Sequence, residues 1–327
     1  MIYLVKKMNK LFIHSFLIKL FIKITDFQML KIIVFLSLLF LTDSCRVLVL
    51  SGGGGHCACQ PGLISGLIQD NPNLSWDVIT GISAGSINAY YLSTRRLENS
   101  LYEVVTNLSK FWQDTKTKDI YSINLLWKES IFDTTPLHYY LKQHINESVG
   151  FTPVYVGAVS LETGNLNISY STPENLTDHF VVESIMSSTA IPILFPPHSF
   201  GGQHWIDGGI IADEIINEGI KWCDGSDEII VDIMINAPTL IDTVNVSMNI
   251  FDIALRTLGI IMDKFDHYEF YNTYPVRCQT LTINIYTPPE PIPYFMLNFD
   301  HGPEIWKMCY MNHQPNQTYT LPCYGKN

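Results

Sequence analysis

Five residues, Gly81-Ile82-Ser83-Ala84-Gly85, follow an apolar run (Trp76, Val78, Ile79) and precede a helix-compatible segment, Ser86 to Leu92. A chain that leaves a strand and enters a helix in so few residues has to turn sharply. Small residues on either side of the serine permit that turn and let its hydroxyl project from the sheet edge, the arrangement of a nucleophile elbow. Glycine and serine also build ordinary turns, so the pentapeptide alone assigns no chemistry. Its neighbours decide what it is worth.

Upstream, Arg46-Val47-Leu48-Val49-Leu50 reads as a buried parallel strand feeding the turn Ser51-Gly52-Gly53-Gly54-Gly55-His56. Gln60 to Ile68 then carries Leu63, Ile64, Leu67 and Ile68 at helical spacing, with Pro61 in a first turn that tolerates it. Strand, glycine-rich turn, helix, strand and elbow make one βαβ unit of an α/β fold. A glycine-rich turn opening a helix gathers unpaired N–H groups and holds an anion. A P-loop needs Gly-Lys-Ser/Thr where His56-Cys57-Ala58 stands, and a dinucleotide fingerprint needs glycine at Cys57. An oxyanion hole remains, and it fits a serine nucleophile at Ser83.

Residues 95 to 150 read as helical with loops, since Leu97, Leu101, Val104, Val105, Leu108 and Phe111 recur every three to four residues. Phe151 to Ser160 reads as a strand, turning at Leu161-Glu162-Thr163-Gly164-Asn165 into a second strand, Leu166 to Tyr170. Val181 to Ser188 is a short helix, and the prolines of Ala190 to Pro197 exclude one there. Asp207 ends a short apolar step before Gly208-Gly209, where an Asx turn is the ordinary role for an aspartate. Ile229 to Ile235 reads as a further strand and the last of the core sheet. Val244 to Met262 has helical periodicity, and Gln279 to Tyr286 alternates like a strand.

The first 44 residues stand apart. Met29-Leu30-Lys31, the apolar run Ile32 to Leu41 and then Thr42-Asp43-Ser44-Cys45 have the anatomy of a signal peptide starting at Met29 and cleaved near Ser44 or Cys45. A membrane anchor is the alternative, although the run is short for a span. The organisation expected is an N-terminal extension with signal peptide (1–44), a catalytic core (45–235) and a C-terminal extension packed on the same domain (236–327). Residues 1 to 44 hold six lysines and two aspartates, so removing them from 20 basic and 31 acidic residues leaves 14 against 29, a net −15. That charge argues against nucleic acid as a partner and leaves apolar contact as the route onto a lipid surface.

Seven Asn-x-Ser/Thr sequons, at Asn73, Asn107, Asn146, Asn167, Asn175, Asn245 and Asn316, fit passage through a glycosylating secretory route. Setting aside Cys45 leaves an even set, Cys57, Cys59, Cys223, Cys278, Cys309 and Cys323, for disulfides, with Cys309–Cys323 the preferred pair. The expected location is the secretory pathway, ending outside the cell or in an endolysosomal lumen, with the endoplasmic reticulum membrane as alternative.

Taken in order, Leu50-Ser-Gly-Gly-Gly with Gln60 and Gly62, the elbow at Ser83, Leu161-Glu-Thr-Gly164, Ser188-Thr-Ala-Ile-Pro192 with Phe195-Pro-Pro197, and Asp207-Gly-Gly209 resemble the successive blocks of the patatin-like phospholipase family over roughly residues 46 to 235. The resemblance implies a three-layer α/β/α sandwich with a mostly parallel central sheet. It implies a lipid acyl hydrolase in which Ser83 is the nucleophile, Asp207 the base, and Gly52, Gly53 and Gly54 the oxyanion hole, with no metal or cofactor. The substrate class implied is a glycerophospholipid or another acyl lipid. Where the family has Arg-Gly this chain has His56-Cys57, which makes His56 a candidate phosphate contact and Cys57 a loss of backbone freedom.

Two other readings stay open. A Ser-His-Asp esterase would draw its histidine from His267, His301 or His313. A lipid-binding or storage protein would keep the fold with an impaired oxyanion loop. A zinc site at His56, Cys57 and Cys59 lacks a spaced fourth ligand.

Overall fold

In the computed structural model, which describes residues 43–93, 100–123, 129–145, 152–171, 178–212, 215–236 and 276–323, the first strand is β1 (Ser44–Leu50). Alternate residues of a strand face opposite sides of a sheet, and here both sides are apolar. Leu48 and Leu50 enter one hydrophobic cluster, while Val47 and Val49 enter another. Such a strand has to lie inside a sheet covered on both faces.

Its neighbours supply the cover. The first cluster takes side chains from helices α1 (Cys59–Asp70), α2 (Ala84–Ser93), α3 (Leu101–Asp114), α5 (Thr135–His144), α6 (Asp178–Ser188) and α8 (Gly302–Tyr310), with the short α4 (Thr117–Ile120) between α3 and α5. The second takes Ile216 and Ile220 of α7 (Ile216–Trp222). The layers are therefore helix, sheet, helix: a three-layer α/β/α arrangement. Helix α3 starts on a capping box in which the Ser100 Oγ accepts from the Glu103 N–H and the Glu103 carboxylate accepts from the Ser100 N–H.

Strand β1 lies between β2 (Val78–Ile82) and β9 (Glu228–Met234), parallel to both. Beyond β9 come β10 (Thr280–Tyr286), parallel, and β11 (Gln317–Pro322), antiparallel. A separate two-stranded ribbon joins β3 (Ser122–Ile123) to β4 (Phe132–Asp133). On the other side β2 pairs in parallel with β5 (Val154–Ser160). Strand β6 (Leu166–Ser171), returning from the expected hairpin, fills one edge of β5 from Val154 to Val159. The opposite edge is shared: β2 occupies it from Val154 to Gly157, and β8 (Gln203–Asp207) occupies it from Ala158 to Ser160. Strand β7 (His198–Phe200) flanks β8.

Two units divide the chain, Met1–Asp43 and Ser44–Asn327, and every element named above belongs to the second. The strand at Glu228–Met234 is not the last of the core sheet. Residues after 236 add β10 and β11, because Leu281, Ile283 and Ile285 alternate into the second cluster against β9. The expected signal peptide, apart from its final residues, and the helical periodicity of residues 244 to 262 lie outside the described residues.

Cysteine pairing also differs from expectation. Cys309 bridges to Cys59, not to Cys323, which instead joins Cys278, and Cys45 joins Cys223. The reason is packing: α8 lies on α1 with Gly62 so close to Trp306 that a Cβ there would stand 2.4 Å from its carbonyl oxygen. That contact brings Cys59 and Cys309 into one buried layer.

Between the sheet strands, Asp232 of β9 is fully buried and fully engaged. It accepts from Arg46 Nε at 2.6 Å and Nη2 at 3.1 Å, from Trp76 Nε1 at 2.7 Å, from Asn284 Nδ2 at 2.9 Å and from the Tyr286 hydroxyl at 3.4 Å. A buried carboxylate is tolerated when its lone pairs are met in this way.

Candidate active site

The elbow is built as its sequence requires. Ser83 sits at φ 52, a left-handed backbone that a residue with a Cβ adopts only under constraint. The flanking glycines make the turn possible. A Cβ on Gly81 would lie 2.6 Å from the Gly85 carbonyl oxygen, and one on Gly85 would lie 2.4 Å from that of Ser51. Two serines hold the strained residue. The Ser83 N–H donates to Ser188 Oγ at 2.9 Å, and that hydroxyl donates to the Gly157 carbonyl at 2.7 Å. Ser86 donates both its N–H, at 2.9 Å, and its hydroxyl, at 2.6 Å, to the Ser83 carbonyl.

Asp207 reaches the same place from the opposite direction. Strand β2 ends at Ile82 opposite Gly157, and β8 ends at Asp207 opposite Ala158. The two strands therefore run head to head along one edge of β5, their C-terminal ends one residue step apart, roughly 3.3 Å along the strand. The chain after Asp207 closes this gap. A Cβ on Gly208 would stand 2.6 Å from the Gly157 carbonyl oxygen and 3.2 Å from the Ile82 Cγ2. Ser83 and Asp207 are both buried, at 3% and 1% exposure. The Asx-turn role of Asp207 is also present: Oδ1 accepts from the Gly209 N–H at 2.8 Å, capping the 3-10 turn Gly208–Ile210. Its own N–H donates to the Ala190 carbonyl at 2.9 Å.

The glycine-rich turn stands at the end of β1, on the other side of β2. Gly53 at φ 137 and Gly54 at φ 55 occupy conformations that favour glycine. Gly55 donates its N–H to the Met296 carbonyl at 2.7 Å, and a Cβ on Gly54 would lie 2.4 Å from that same oxygen. The C-terminal segment thus packs directly on the turn. Asn236, just past β9, donates through Nδ2 to the Gly52 carbonyl at 2.7 Å, and Gln60 donates through Nε2 to the Ser51 carbonyl at 2.9 Å.

His56, the candidate phosphate contact, is held against the segment around residue 294. Its Nε2 lies 2.7 Å from the Tyr294 carbonyl, and burial pushes the ring's pKa below its ordinary value. The ring N–H anchors residue 294, and burial disfavours the positive charge that would draw a phosphate. Cys57 lies in the 3-10 turn Gly54–Ala58, where no residue other than glycine has a positive φ, so cysteine loses no needed freedom there. Its thiol donates to the Ser51 carbonyl at 3.6 Å. Cys59 is consumed in its disulfide, and among the described residues no group of three metal-ligating side chains could hold an ion. Of the candidate histidines, His301 stacks on Tyr294 at 3.8 Å, His313 bonds Asp70 at 2.9 Å, and His267 lies outside the described residues.

The sequence contains the signal for Ser188, in the block before Pro192, but not its role as the clamp on Ser83. Asn236 carries no sequence signal beyond its place after an apolar strand.

Comparison with known families decides what frame these residues belong to. The model of the patatin-like phospholipase family, Patatin, matches residues 48–217, more than half of the chain. This chain belongs to the patatin-like phospholipase family. Membership supports lipid acyl hydrolase activity in general, with an acyl lipid as the partner molecule. Among solved structures, VipD from Legionella pneumophila is similar at 12% identity and a TM-score of 0.34, covering 86% of this chain and 68% of that one. The type III effector protein ExoU is similar at 10% identity and a TM-score of 0.30, with 86% of this chain and 56% of that chain covered. This chain thus spans little more than half of the ExoU chain. A search of curated proteins returns no match.

Proposed function

We propose that this patatin-like protein hydrolyses fatty acyl esters of glycerolipids through an acyl-serine intermediate, with Ser83 as nucleophile and Asp207 as base. The observation that supports the reading is the head-to-head meeting of β2 and β8 on β5, where a strained serine follows the end of one strand and a buried carboxylate ends the other. A serine hydroxyl is inert at neutral pH without a base within reach.

In the first half-reaction the Ser83 Oγ attacks the ester carbonyl while Asp207 takes the hydroxyl proton. The N–H groups of Gly52, Gly53 and Gly54 receive the negative oxygen of the tetrahedral intermediate. As that intermediate collapses, the bond to the leaving alcohol breaks and Asp207 returns the proton to it. Water then repeats the sequence on the acyl-serine, giving the fatty acid and free Ser83. One preorganised oxyanion donor contributes about 3 kcal/mol to such a barrier.

The substrate class is a glycerophospholipid or a related acyl lipid, met at a lipid surface through apolar contacts because the chain is acidic. The N-terminal signal anatomy and the sequons support a secretory route, and three disulfides suit an oxidising compartment. Reading the oxyanion loop as impaired rested on the pair His56-Cys57, of which Cys57 needs no unusual backbone.

The test is covalent labelling with a fluorophosphonate, together with hydrolysis of a lipid panel across pH. Wild-type protein should be labelled and active, and Ser83→Ala should abolish both. Asp207→Asn should stop turnover while leaving cooperative unfolding intact. Labelling that survives Ser83→Ala, or full activity in Asp207→Asn, would overturn the dyad.

A further inference from the structure

We propose that Asn236 is a positioning residue of the oxyanion loop, fixing which way the Gly52–Gly53 peptide faces. The inference rests on the Ser83–Asp207 reading above and adds to it a residue 19 positions beyond the family match, which ends at residue 217.

A trans peptide is planar, so its C=O and N–H point in opposite directions. The Gly52 carbonyl is held by Asn236 Nδ2 at 2.7 Å. The Gly53 N–H, on the same peptide, therefore leaves on the other side. Topology names the sides. Strand β1, which feeds the loop, has β9 on one edge and β2 on the other. Asn236 continues β9, and Ser83 continues β2. A carbonyl drawn to the first turns the N–H toward the second.

The adjoining planes are fixed in the same sense. Asn236 Nδ2 also reaches the Ser51 carbonyl at 3.3 Å, beside Gln60 Nε2, and the Asn236 N–H donates to Ser51 Oγ at 3.2 Å. The Gly53 carbonyl accepts from the His56 N–H at 3.1 Å, which opposes the Gly54 N–H to it. Gly53, at φ 137 with no Cβ, offers little resistance of its own to a flip of the peptide before it. Asn236 is the latch that the glycine lacks.

The amide is an expensive choice for this place. Asn236 is 3% exposed, and its Oδ1 is buried with no hydrogen-bond partner among the described residues. A buried acceptor left unmet destabilises the fold, so an apolar side chain would serve packing better. The donors are what this position uses.

The experiment compares wild type, Ser83→Ala, Asn236→Leu and Asn236→Asp as full-length purified chains. Each is assayed for kcat and KM on a p-nitrophenyl acyl ester, for the rate of fluorophosphonate labelling, and for thermal unfolding. Asn236→Leu should lower kcat and the labelling rate by about tenfold to a hundredfold with KM unchanged. Asn236→Asp should lose activity at neutral pH, where its carboxylate repels the Gly52 carbonyl. It should regain activity relative to wild type as pH falls, because the protonated carboxyl donates an O–H to that carbonyl. A residue with only a packing role would not show that recovery, which also serves if the leucine variant does not fold. Folded variants labelled at the wild-type rate, or changed only in KM, would overturn the proposal while Ser83-dependent labelling stands. A wild type that neither labels nor hydrolyses would overturn the hydrolase reading itself, and this inference with it.

Discussion

Replacing Ser188 by alanine removes one hydroxyl that binds two buried backbone groups, the Ser83 N–H at 2.9 Å and the Gly157 carbonyl at 2.7 Å. A buried donor or acceptor left without its partner costs about 1–3 kcal/mol. Two of them therefore cost about 2–6 kcal/mol. Against this stands the left-handed backbone of Ser83, which holds roughly 1–2 kcal/mol of strain and persists only while its surroundings enforce it. The clamp outweighs the strain, so losing the clamp lets Ser83 relax and moves its hydroxyl. With the released strain set against the lost bonds, a net loss of about 1–4 kcal/mol should lower thermal unfolding by about 2–16 °C, taking about 2–4 °C per kcal/mol. Fluorophosphonate labelling should slow at least about tenfold, as expected when a nucleophile is misplaced by about an ångström. Ser187→Ala is the control, since Ser187 Oγ donates to the Glu183 carbonyl of its own helix at 2.8 Å. A Ser188→Ala protein that matches Ser187→Ala in both melting temperature and labelling rate would refute the clamp.

Asp232→Ala should destabilise by about 3–5 kcal/mol, because it strands the Arg46 guanidinium and the Trp76 N–H; chemical denaturation will measure it, and a loss below 1 kcal/mol would contradict the network. Gly54→Ala forces a Cβ to within 2.4 Å of the Met296 carbonyl at φ 55, so labelling and melting temperature should both drop. Burial pushes the Glu183 carboxyl up, but hydrogen bonds and charge from His198 and His138 outweigh it and hold its pKa below the ordinary value. A depressed folded-state pKa gives stability that is present above the ordinary value and lost as pH falls through the folded one. Melting between about pH 7 and about pH 3 should therefore show an acid limb that Glu183→Gln flattens. Cys45→Ser opens a bridge closing a sequence separation of 178 and should cost about 2–5 kcal/mol, read as a lower melting temperature that reductant brings to wild type too.

Much of the fold was legible because it rests on local rules. The run through Leu48 to Leu50, the glycine-bounded Ser83 and the hairpin at Leu161 to Asn165 each state their own backbone. What escaped depends on residues distant in sequence. The alternation of Gln279 to Tyr286 reads as a strand, but nothing local says that it extends the core sheet next to β9. Cys309 and Cys323 are near in sequence, yet α8 lies on α1 and takes Cys309 to Cys59. Three prolines exclude a helix near residue 193, but not the left-handed turn that Ile193 adopts at φ 72. His56 shows the same limit: its type permits a phosphate contact, and only the fold reveals that its ring is held by the Tyr294 carbonyl. Ser83 and Asp207 could be named separately from their turns. Their meeting is a property of register on β5, which no local pattern encodes.

That register bears on how this protein is cut for expression. The family match stops at residue 217, in the first turns of α7 and before β9 begins. A recombinant fragment trimmed to the matched segment would leave β1 with a bare hydrogen-bonding edge through the middle of the sheet, an invitation to aggregate. It would also lose the Cys45–Cys223 bridge altogether and leave Cys59 as a reactive thiol, its partner at 309 discarded. The smallest unit worth producing therefore runs from Ser44 through Cys323.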